Sequence, residues 1–234
     1  MSAHTVQTAL VSDGHALPVH VVRPVGPIVG GLVLLQEIFG VNAYMRQMAA
    51  EFAQRGLLVA VPELFARQEP GVDLGYDPED LAHGIRLRDG LDWDAVELDI
   101  AAAVNVVRDV ASEEVKVAAQ GYCLGGGLAV LAAARCGVDA AVSYYGVGVQ
   151  DRLHLAREIA VPVLFHLAEH DHYCPPKART AIDQAFTDHD DVEIHLYPGV
   201  GHAFATYGRD TFDAAATELA LARTLTFLEK WTTS

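Results

Sequence analysis

The chain has 234 residues and a formal net charge of −15, with 51% hydrophobic and 20% charged residues. This length suits one compact domain, and the apolar content is sufficient to build its core. The acidic excess disfavours binding to nucleic acid or to an anionic membrane, because both attract clustered Lys and Arg. The N-terminus lacks an export signal and no run of about eighteen apolar residues occurs, which predicts a cytoplasmic protein without a membrane segment.

The first elements in chain order form a predicted β-hairpin. Residues 4–11 and 16–23 alternate apolar and polar side chains around a turn at 12–15, a pattern typical of strands at a sheet edge. Continuous apolar runs then predict central parallel strands with both faces covered. These runs are 28–35, 57–61, 115–119, 140–144, 161–166 and 192–197.

Segments with helical periodicity lie between these strands. Asn42 can cap a helix that reaches Ala53 and is stopped by Gly56. The other helical patterns cover about 94–109, 124–136, 176–187 and the end of the chain from Phe212. This alternation predicts an α/β fold in one domain over 1–234, with a mostly parallel, doubly wound sheet flanked by helices. The segment 69–80 contains Pro and Gly and is the predicted long loop, in a region where such sheets bind ligands.

The sequence Gly121-Tyr122-Cys123-Leu124-Gly125-Gly126 follows the strand at 115–119 and opens a helix. This is the strand-turn-helix context of a nucleophile elbow, with cysteine in the place of serine. The glycines permit a sharp turn, and the N-terminus of the helix favours negative charge on the sulfur. The alternative is a Gly-rich turn that holds a buried and inert cysteine.

Two later segments supply a candidate acid and a candidate base. Asp171 stands just beyond the strand at 161–167, and His202 follows the strand at 192–197, in the chain order that this arrangement requires. In a Cys-His-Asp set the imidazole accepts the thiol proton, and the carboxylate orients the ring. Taken alone, His202 is equally a surface-loop histidine and Asp171 a helix cap, but their joint placement favours catalysis.

The segment 166–174 is also rich in metal-ligating residue types, with three histidines, two carboxylates and a thiol. Its spacing matches no standard zinc pattern, and a strand sends neighbouring side chains to opposite faces. We therefore predict neither a metal site nor a cofactor. The three cysteines, Cys123, Cys136 and Cys174, lack C-x-x-C spacing, which fits a reducing compartment and leaves a working thiol available.

Residues 36–40 end the strand at 28–35, where a backbone N–H can help to bind an oxyanion. The candidate donors are the N–H groups of Ile38 and Leu124. Glu37 is an acidic residue at a strand end that should exclude water, so we expect it to contact the Cys123 thiol. A structural carboxylate in a salt bridge is the alternative.

Six blocks of the sequence resemble the dienelactone hydrolases (carboxymethylenebutenolidases). They read QEIFGVN (36–42), PELFARQ (62–68), GYCLGG (121–126), SYYGVG (143–148), HDH (170–172) and GHAFA (201–205). The resemblance spans nearly the whole chain and implies an α/β-hydrolase fold without metal or organic cofactor. It implies a triad of Cys123, His202 and Asp171, with Glu37 holding the resting cysteine. The implied reaction opens a small lactone through an acyl-enzyme at Cys123, as in conversion of dienelactone to maleylacetate.

One position departs from the family pattern. Well-understood members carry an arginine four residues after the catalytic histidine, where it helps to bind the substrate carboxylate, and this chain has Thr206 there. Arg209 can supply the missing cation from the following loop. Arg86 or Arg88 can also serve, although a helix-surface role is at least as reasonable for each. Phe39 and Tyr145 are further candidates for substrate contact.

Two other functions stay open. Thr206 permits a broader carboxylesterase that has lost the carboxylate clamp, and a non-catalytic protein of the same fold could use Cys123 as an oxidisable thiol. The presence of His202, Asp171 and Glu37 together favours a working hydrolase. No exposed apolar stripe and no protein partner are indicated, so we predict a monomer that binds a small-molecule ester or lactone.

Overall fold

The computed structural model describes residues 3–112 and 114–232. Eight strands in this part of the chain form one sheet. They are β1 (Ala3–Leu10), β2 (Ala16–Arg23), β3 (Gly30–Leu35), β4 (Leu57–Pro62), β5 (Val117–Tyr122), β6 (Ala140–Tyr144), β7 (Val163–His170) and β8 (Val192–Gly201). Their order across the sheet is β1-β2-β4-β3-β5-β6-β7-β8.

The sheet is mostly parallel, as predicted. Strands β1 and β2 form the predicted antiparallel hairpin, and β2 also runs antiparallel to β4. All other neighbouring pairs are parallel. The strand order reverses around β3, which lies between β4 and β5. In doubly wound sheets the crevice at the carboxyl ends of the strands, beside such a reversal, is the usual place for a ligand.

Helices cover both faces of the sheet. They are α1 (Ala43–Gln54), α2 (Pro78–Asp89), α3 (Trp93–Val110), α4 (Leu124–Arg135), α5 (Pro176–Ala185) and α6 (Ala214–Thr232), with a kinked 3₁₀ segment at Val149–Arg157. Strand β3 alternates between the two sides: Leu32 and Leu34 pack with α1 and α6, whereas Val33 and Leu35 pack with α3 and α4. Side chains on both faces of the strand are therefore covered by helices, which explains the continuous apolar runs.

Several predicted boundaries were wrong by a few residues. The run 28–35 becomes a strand only from Gly30, and the run 115–119 becomes one only from Val117. The last two strands extend further than predicted, and Phe212 lies before the last helix rather than in it. Pairing with a neighbouring strand decides these limits, and the apolar pattern does not contain that information.

Helix α2 was not predicted, although its beginning is well capped. Asp77 Oδ1 accepts hydrogen bonds from the N–H groups of Glu79 and Asp80, and Pro78 takes the first helical position. Only Gly84 and Leu87 are buried in this helix, so its apolar periodicity is weak and the pattern favoured a loop. The cap residues were the usable signal.

A buried ion pair holds the hairpin turn and α3 together. Arg67 donates from Nε to Asp99 Oδ2 at 2.8 Å and from Nη2 to Asp99 Oδ1 at 2.7 Å. The same guanidinium pairs with Asp13 Oδ2 at 2.8 Å, and the Asp99 side chain is 0% exposed. Arg67 therefore neutralises a carboxylate that water does not reach.

We expect Arg67→Met to lower the free energy of unfolding by about 3–5 kcal/mol, because it leaves the buried Asp99 carboxylate without its charged partner. Urea denaturation measures this loss. The matched control is Arg135→Met, which breaks the half-exposed pair with Glu158 and should cost much less. Equal losses in the two variants would contradict the role given to burial.

Candidate active site

Cys123 occupies the sharp turn between β5 and α4. Its backbone has φ 56° and ψ −114°, a strained conformation for a residue with a side chain. A Cβ at Gly121 would clash with the Gly125 carbonyl, and a Cβ at Gly125 would clash with the Leu35 carbonyl. The predicted elbow geometry is present, and the close approach of β5, α4 and the end of β3 requires glycine at both positions.

The surroundings of the Cys123 thiol favour its neutral form. Cys123 is 8% exposed, and its pKa is raised far above the ordinary value, first by burial and then by the negative charge of Glu37. The N–H of Leu124 and the charge of Arg209 act in the opposite direction but do not prevail. The predicted bias toward thiolate at the helix N-terminus is present in direction, since the N–H of Leu124 lowers the pKa of Cys123, but burial has the larger effect.

The structure brings His202 and Asp171 together. His202 Nδ1 and Asp171 Oδ2 are 2.8 Å apart, and both side chains are buried. The second oxygen, Asp171 Oδ1, accepts the N–H of Tyr173 at 2.8 Å. With Asp171 ionised, His202 Nδ1 carries a proton and donates it to the carboxylate, which leaves Nε2 as the basic nitrogen.

The basic nitrogen of His202 has no partner. Nε2 is buried without a hydrogen bond from any described residue. The rings of Tyr145 and Tyr173 contact the imidazole edge to face, with centroids 5.1 Å and 4.7 Å away. His172 is exposed, and its ring centroid lies 6.2 Å from that of His202. Of these two histidines, His202 is therefore the one that the structure pairs with Asp171.

Glu37 is buried at the end of β3, as predicted, but its hydrogen bond goes to a different group. Thr206 Oγ1 donates to Glu37 Oε1 at 3.2 Å, whereas Oε2 is buried and has no partner among the described residues. The predicted contact with the Cys123 thiol is not a hydrogen bond here; Glu37 acts on the thiol through its charge. Burial raises the pKa of Glu37 to about 7, although Arg209 and Thr206 oppose that shift.

Thr206 and Tyr145 form a buried hydroxyl pair beside Glu37. Tyr145 Oη lies 2.9 Å from Thr206 Oγ1, and the two residues are 1% and 0% exposed. Tyr145 is therefore packed beneath the site instead of lining open space for a substrate. Sequence reasoning noted Thr206 only as a missing arginine and did not foresee this contact. The usable signal was a hydroxyl residue four positions after the candidate base.

Arg209 lies near the site, stacked on aromatic rings. Its guanidinium carbon is 5.2 Å from the ring centroid of Phe39 and 5.3 Å from that of Tyr76. Its charge lowers the pKa of both Glu37 and Cys123. In the part of the chain that the structure describes, no carboxylate pairs with Arg209, so the cation is available to an anionic ligand.

Arg86 is placed differently. It is exposed on α2, and none of its described contacts reaches Cys123 or Glu37. Phe39 is 1% exposed and supports the ring of Tyr76, with centroids 4.9 Å apart. Of the predicted substrate contacts, Arg209 thus has both a free charge and proximity to the site, whereas Phe39 supplies the aromatic surface on which it rests.

The two predicted oxyanion donors follow the ends of adjacent strands, β3 and β5. Leu124 opens α4, where the first N–H groups of a helix have no partner within it, and its N–H points to the Cys123 sulfur. Ile38 follows Glu37 after β3 and is buried, with its carbonyl against Gly84 of α2. Their role in binding an oxyanion stays a prediction.

The residue types of the segment 166–174 do not converge. His166 is 0% exposed and bonds Tyr197 Oη at 2.8 Å and Thr224 Oγ1 at 2.9 Å, whereas His170 is exposed. Over 3–112 and 114–232, no group of three or more His, Cys, Asp or Glu side chains is arranged to hold a metal ion. In the same ranges, none of the helices has the length and apolar character needed to cross a bilayer.

The elbow, the acid and the base at the carboxyl edge of a mostly parallel sheet define an α/β-hydrolase fold. Solved structures share it: a dienelactone hydrolase-like promiscuous phosphotriesterase from metagenomic libraries superposes with TM-score 0.79 over 98% of this chain and 99% of its own, at 20% identity. Esterase 2 of Thermogutta terrifontis superposes with TM-score 0.70 over 97% and 94%, at 16% identity. At these identities the likeness concerns the fold alone.

Sequence comparison identifies the family. The model of the dienelactone hydrolase family matches residues 17–232. The chain is 38% identical over 219 residues to the carboxymethylenebutenolidase of Pseudomonas putida, covering 92% of each chain. It is 36% identical over 198 residues to carboxymethylenebutenolidase 1 of Cupriavidus pinatubonensis, covering 84% of each. The chain belongs to the dienelactone hydrolase family and is a hydrolase of carboxylic ester or lactone bonds.

Proposed function

We propose that the protein hydrolyses a small lactone that carries a carboxylate, of the dienelactone type, through an acyl-enzyme at Cys123. The observation that carries this proposal is the buried His202–Asp171 pair at 2.8 Å, beside a cysteine on a strained elbow. Names of relatives at up to 38% identity support the lactone as substrate. The pair supplies a base with an open nitrogen, and the elbow supplies the nucleophile.

The proposed reaction proceeds in two halves. His202 Nε2 takes the thiol proton, and Cys123 Sγ forms a bond to the lactone carbonyl carbon. The N–H groups of Leu124 and Ile38 bind the resulting oxyanion. Collapse breaks the ring C–O bond and releases an enolate, which recovers the proton from His202. Water, deprotonated by His202, then attacks the thioester and regenerates the thiol.

Arg209 is the proposed carboxylate-binding group in place of the residue at Thr206. The guanidinium is free of carboxylate partners among the described residues and rests on Phe39 and Tyr76. Arginine binds a carboxylate with two parallel hydrogen bonds, and a flat aromatic support fixes the plane of the guanidinium. The proposed carboxylate-binding arginine thus lies three positions after Thr206.

The experiment that tests the function is steady-state hydrolysis of cis- and trans-dienelactone beside a neutral aryl ester under reducing conditions. Turnover of the acidic lactone with the higher kcat/KM supports the proposal. Turnover of the neutral ester alone would favour the second candidate, a broader carboxylesterase, for which the uncharged Thr206 is the specific observation. Absence of turnover with selective oxidation of Cys123 by peroxide would favour a redox-responsive protein.

We expect Arg209→Gln to raise KM for the acidic lactone by roughly tenfold to a hundredfold, because a charged hydrogen bond contributes about 1.5–3 kcal/mol. Hydrolysis of the neutral ester, measured above pH 8 where Glu37 is ionised, should change far less. Arg86→Gln is the comparison, since it removes an exposed guanidinium of the same charge. A larger effect at Arg86 than at Arg209 would move the clamp to α2.

A further inference from the structure

The environment of Glu37 is arranged in a way that catalysis through the triad alone does not explain. This carboxylate is 1% exposed, yet the structure gives it only a hydroxyl partner, Thr206, and the charge of Arg209, which makes no hydrogen bond to it. One oxygen is bonded and the other is not. Burying a carboxylate with so little compensation is costly, so the existing contacts decide its charge and orientation.

The hydrogen bonds run in one direction. Thr206 Oγ1 donates to Glu37 Oε1 at 3.2 Å, and a hydroxyl has a single proton, so it must accept at its other contact. The partner there is Tyr145 Oη at 2.9 Å. Burial raises the pKa of Tyr145 well above its ordinary value, so this phenol keeps the proton that it donates. The hydrogen bonds therefore run from Tyr145 to Thr206, and from Thr206 to Oε1 of Glu37.

This series of hydrogen bonds leaves Oε2 as the oxygen of Glu37 that is open to exchange a proton. Oε1 already accepts a hydrogen bond, whereas Oε2 is buried and unpaired among the described residues. The nearby titratable sulfur is Cys123, whose pKa Glu37 raises through its charge. The ring of Tyr145 also contacts His202, so the same tyrosine supports both groups that compete for the thiol proton.

We infer that Tyr145 and Thr206 are positioning residues that stabilise Glu37 as a carboxylate whose Oε2 is left without a hydrogen bond, and so keep the resting Cys123 as a thiol. This inference rests on the proposed function of Cys123 as nucleophile. The resting enzyme thereby protects its nucleophile from alkylation and oxidation.

The charged and titratable groups that face Glu37 come from several elements. They are Arg209, Cys123, Tyr44 of α1, Tyr76, Tyr122 of β5 and Tyr145. Glu37 and Cys123 share one proton after the pair first ionises, so their titration belongs to the pair. With the pKa of Glu37 at about 7, that first ionisation falls near neutral pH and leaves the proton on sulfur.

The test is the pH dependence of Cys123 alkylation by iodoacetamide, followed by mass spectrometry of the peptide that contains Cys123. Thr206→Val removes the donor to Glu37 and makes this carboxylate a better base. We expect the midpoint to rise by about one pH unit and the plateau rate to increase about tenfold, because the shared proton moves from sulfur to Glu37. The thiolate absorbance in the ultraviolet should rise in parallel.

Matched variants separate this effect from damage to the fold. Thr206→Ser keeps the hydroxyl and should restore the wild-type profile, and Tyr145→Phe should give a smaller shift in the same direction. Thr224→Val removes an equally buried threonine hydroxyl, which bonds Tyr144 Oη at 2.7 Å and His166 Nε2 at 2.9 Å rather than Glu37, and should leave the profile unchanged. If Thr206→Val unfolds, the double variant Tyr145→Phe/Thr206→Val removes both hydroxyls without leaving one unpaired.

Alkylation needs no ester substrate, so the two proposals can fail separately. A shifted profile without any ester hydrolysis by the wild type would support the hydroxyl chain and overturn the proposed function. Cys123-dependent hydrolysis with superimposable alkylation profiles of wild type, Thr206→Val and Thr224→Val would overturn the inference and leave the function in place.

Discussion

Replacing Cys123 by alanine is expected to lower kcat for lactone and ester hydrolysis by roughly 10⁴-fold or more, the size typical of removing a nucleophile. The backbone of residue 123 has φ 56°, a value that strains alanine and cysteine alike, so the fold should be retained. Steady-state kinetics with the pure variant measures the loss. In the wild type, rapid quenching and mass spectrometry should detect an acyl group on Cys123.

Cys123→Ser is the matched variant for this prediction. It keeps a nucleophilic atom on the same elbow but replaces the thiol by a hydroxyl, which loses its proton less readily. We expect activity between those of wild type and Cys123→Ala. Substantial turnover by Cys123→Ala would mean that another group attacks the carbonyl, and the acyl-enzyme mechanism would have to be abandoned.

The second large effect is expected at His202. Removing its imidazole should lower kcat by roughly 10³–10⁴-fold, because Cys123 then has no base at the open position of Nε2. His202→Asn is preferable to alanine, since its side-chain amide can still donate to the buried Asp171 and avoids leaving that carboxylate unpaired. Thermal unfolding of each variant checks that the fold is intact.

His172→Ala is the control for His202, because this exposed imidazole lies close to it, with 6.2 Å between the ring centroids. It makes no described hydrogen bond to Asp171 or Cys123, so we expect turnover within about twofold of wild type. Equal losses in His172→Ala and His202→Asn would contradict the assignment of the base.

The parts of the molecule that were predictable from sequence are those with a local signature. Glycines at fixed offsets around Cys123 report a turn that only they allow, and continuous apolar runs report strands covered on both faces. The chain order of Cys123, Asp171 and His202 follows from the topology of parallel strands, whose carboxyl ends meet at one edge. The hydrogen bond between Asp171 and His202 was foreseeable on that basis.

The unpredicted parts depend on contacts between distant segments. The bond between Thr206 and Glu37 joins residues 169 positions apart, and that between Tyr145 and Thr206 joins residues 61 apart. The extent to which burial outweighs the helix N-terminus at Cys123 was not predictable for the same reason. Burial and a nearby carboxylate raise the pKa of Cys123, and both arise only once β3, β5 and the His202 loop have packed.

The loop that carries His202 is closed on itself. Thr211 Oγ1 donates to the His202 carbonyl at 2.6 Å, and Asp213 N–H donates to the Phe204 carbonyl at 2.9 Å. Residues 205–210 are therefore a short insert between fixed ends. Side chains at 207–210 can therefore change without disturbing the imidazole, whereas the buried Thr206 is tied to the site through Glu37 and Tyr145. Substrate choice and bond cleavage can thus diverge at different rates within a single stretch of ten residues or so.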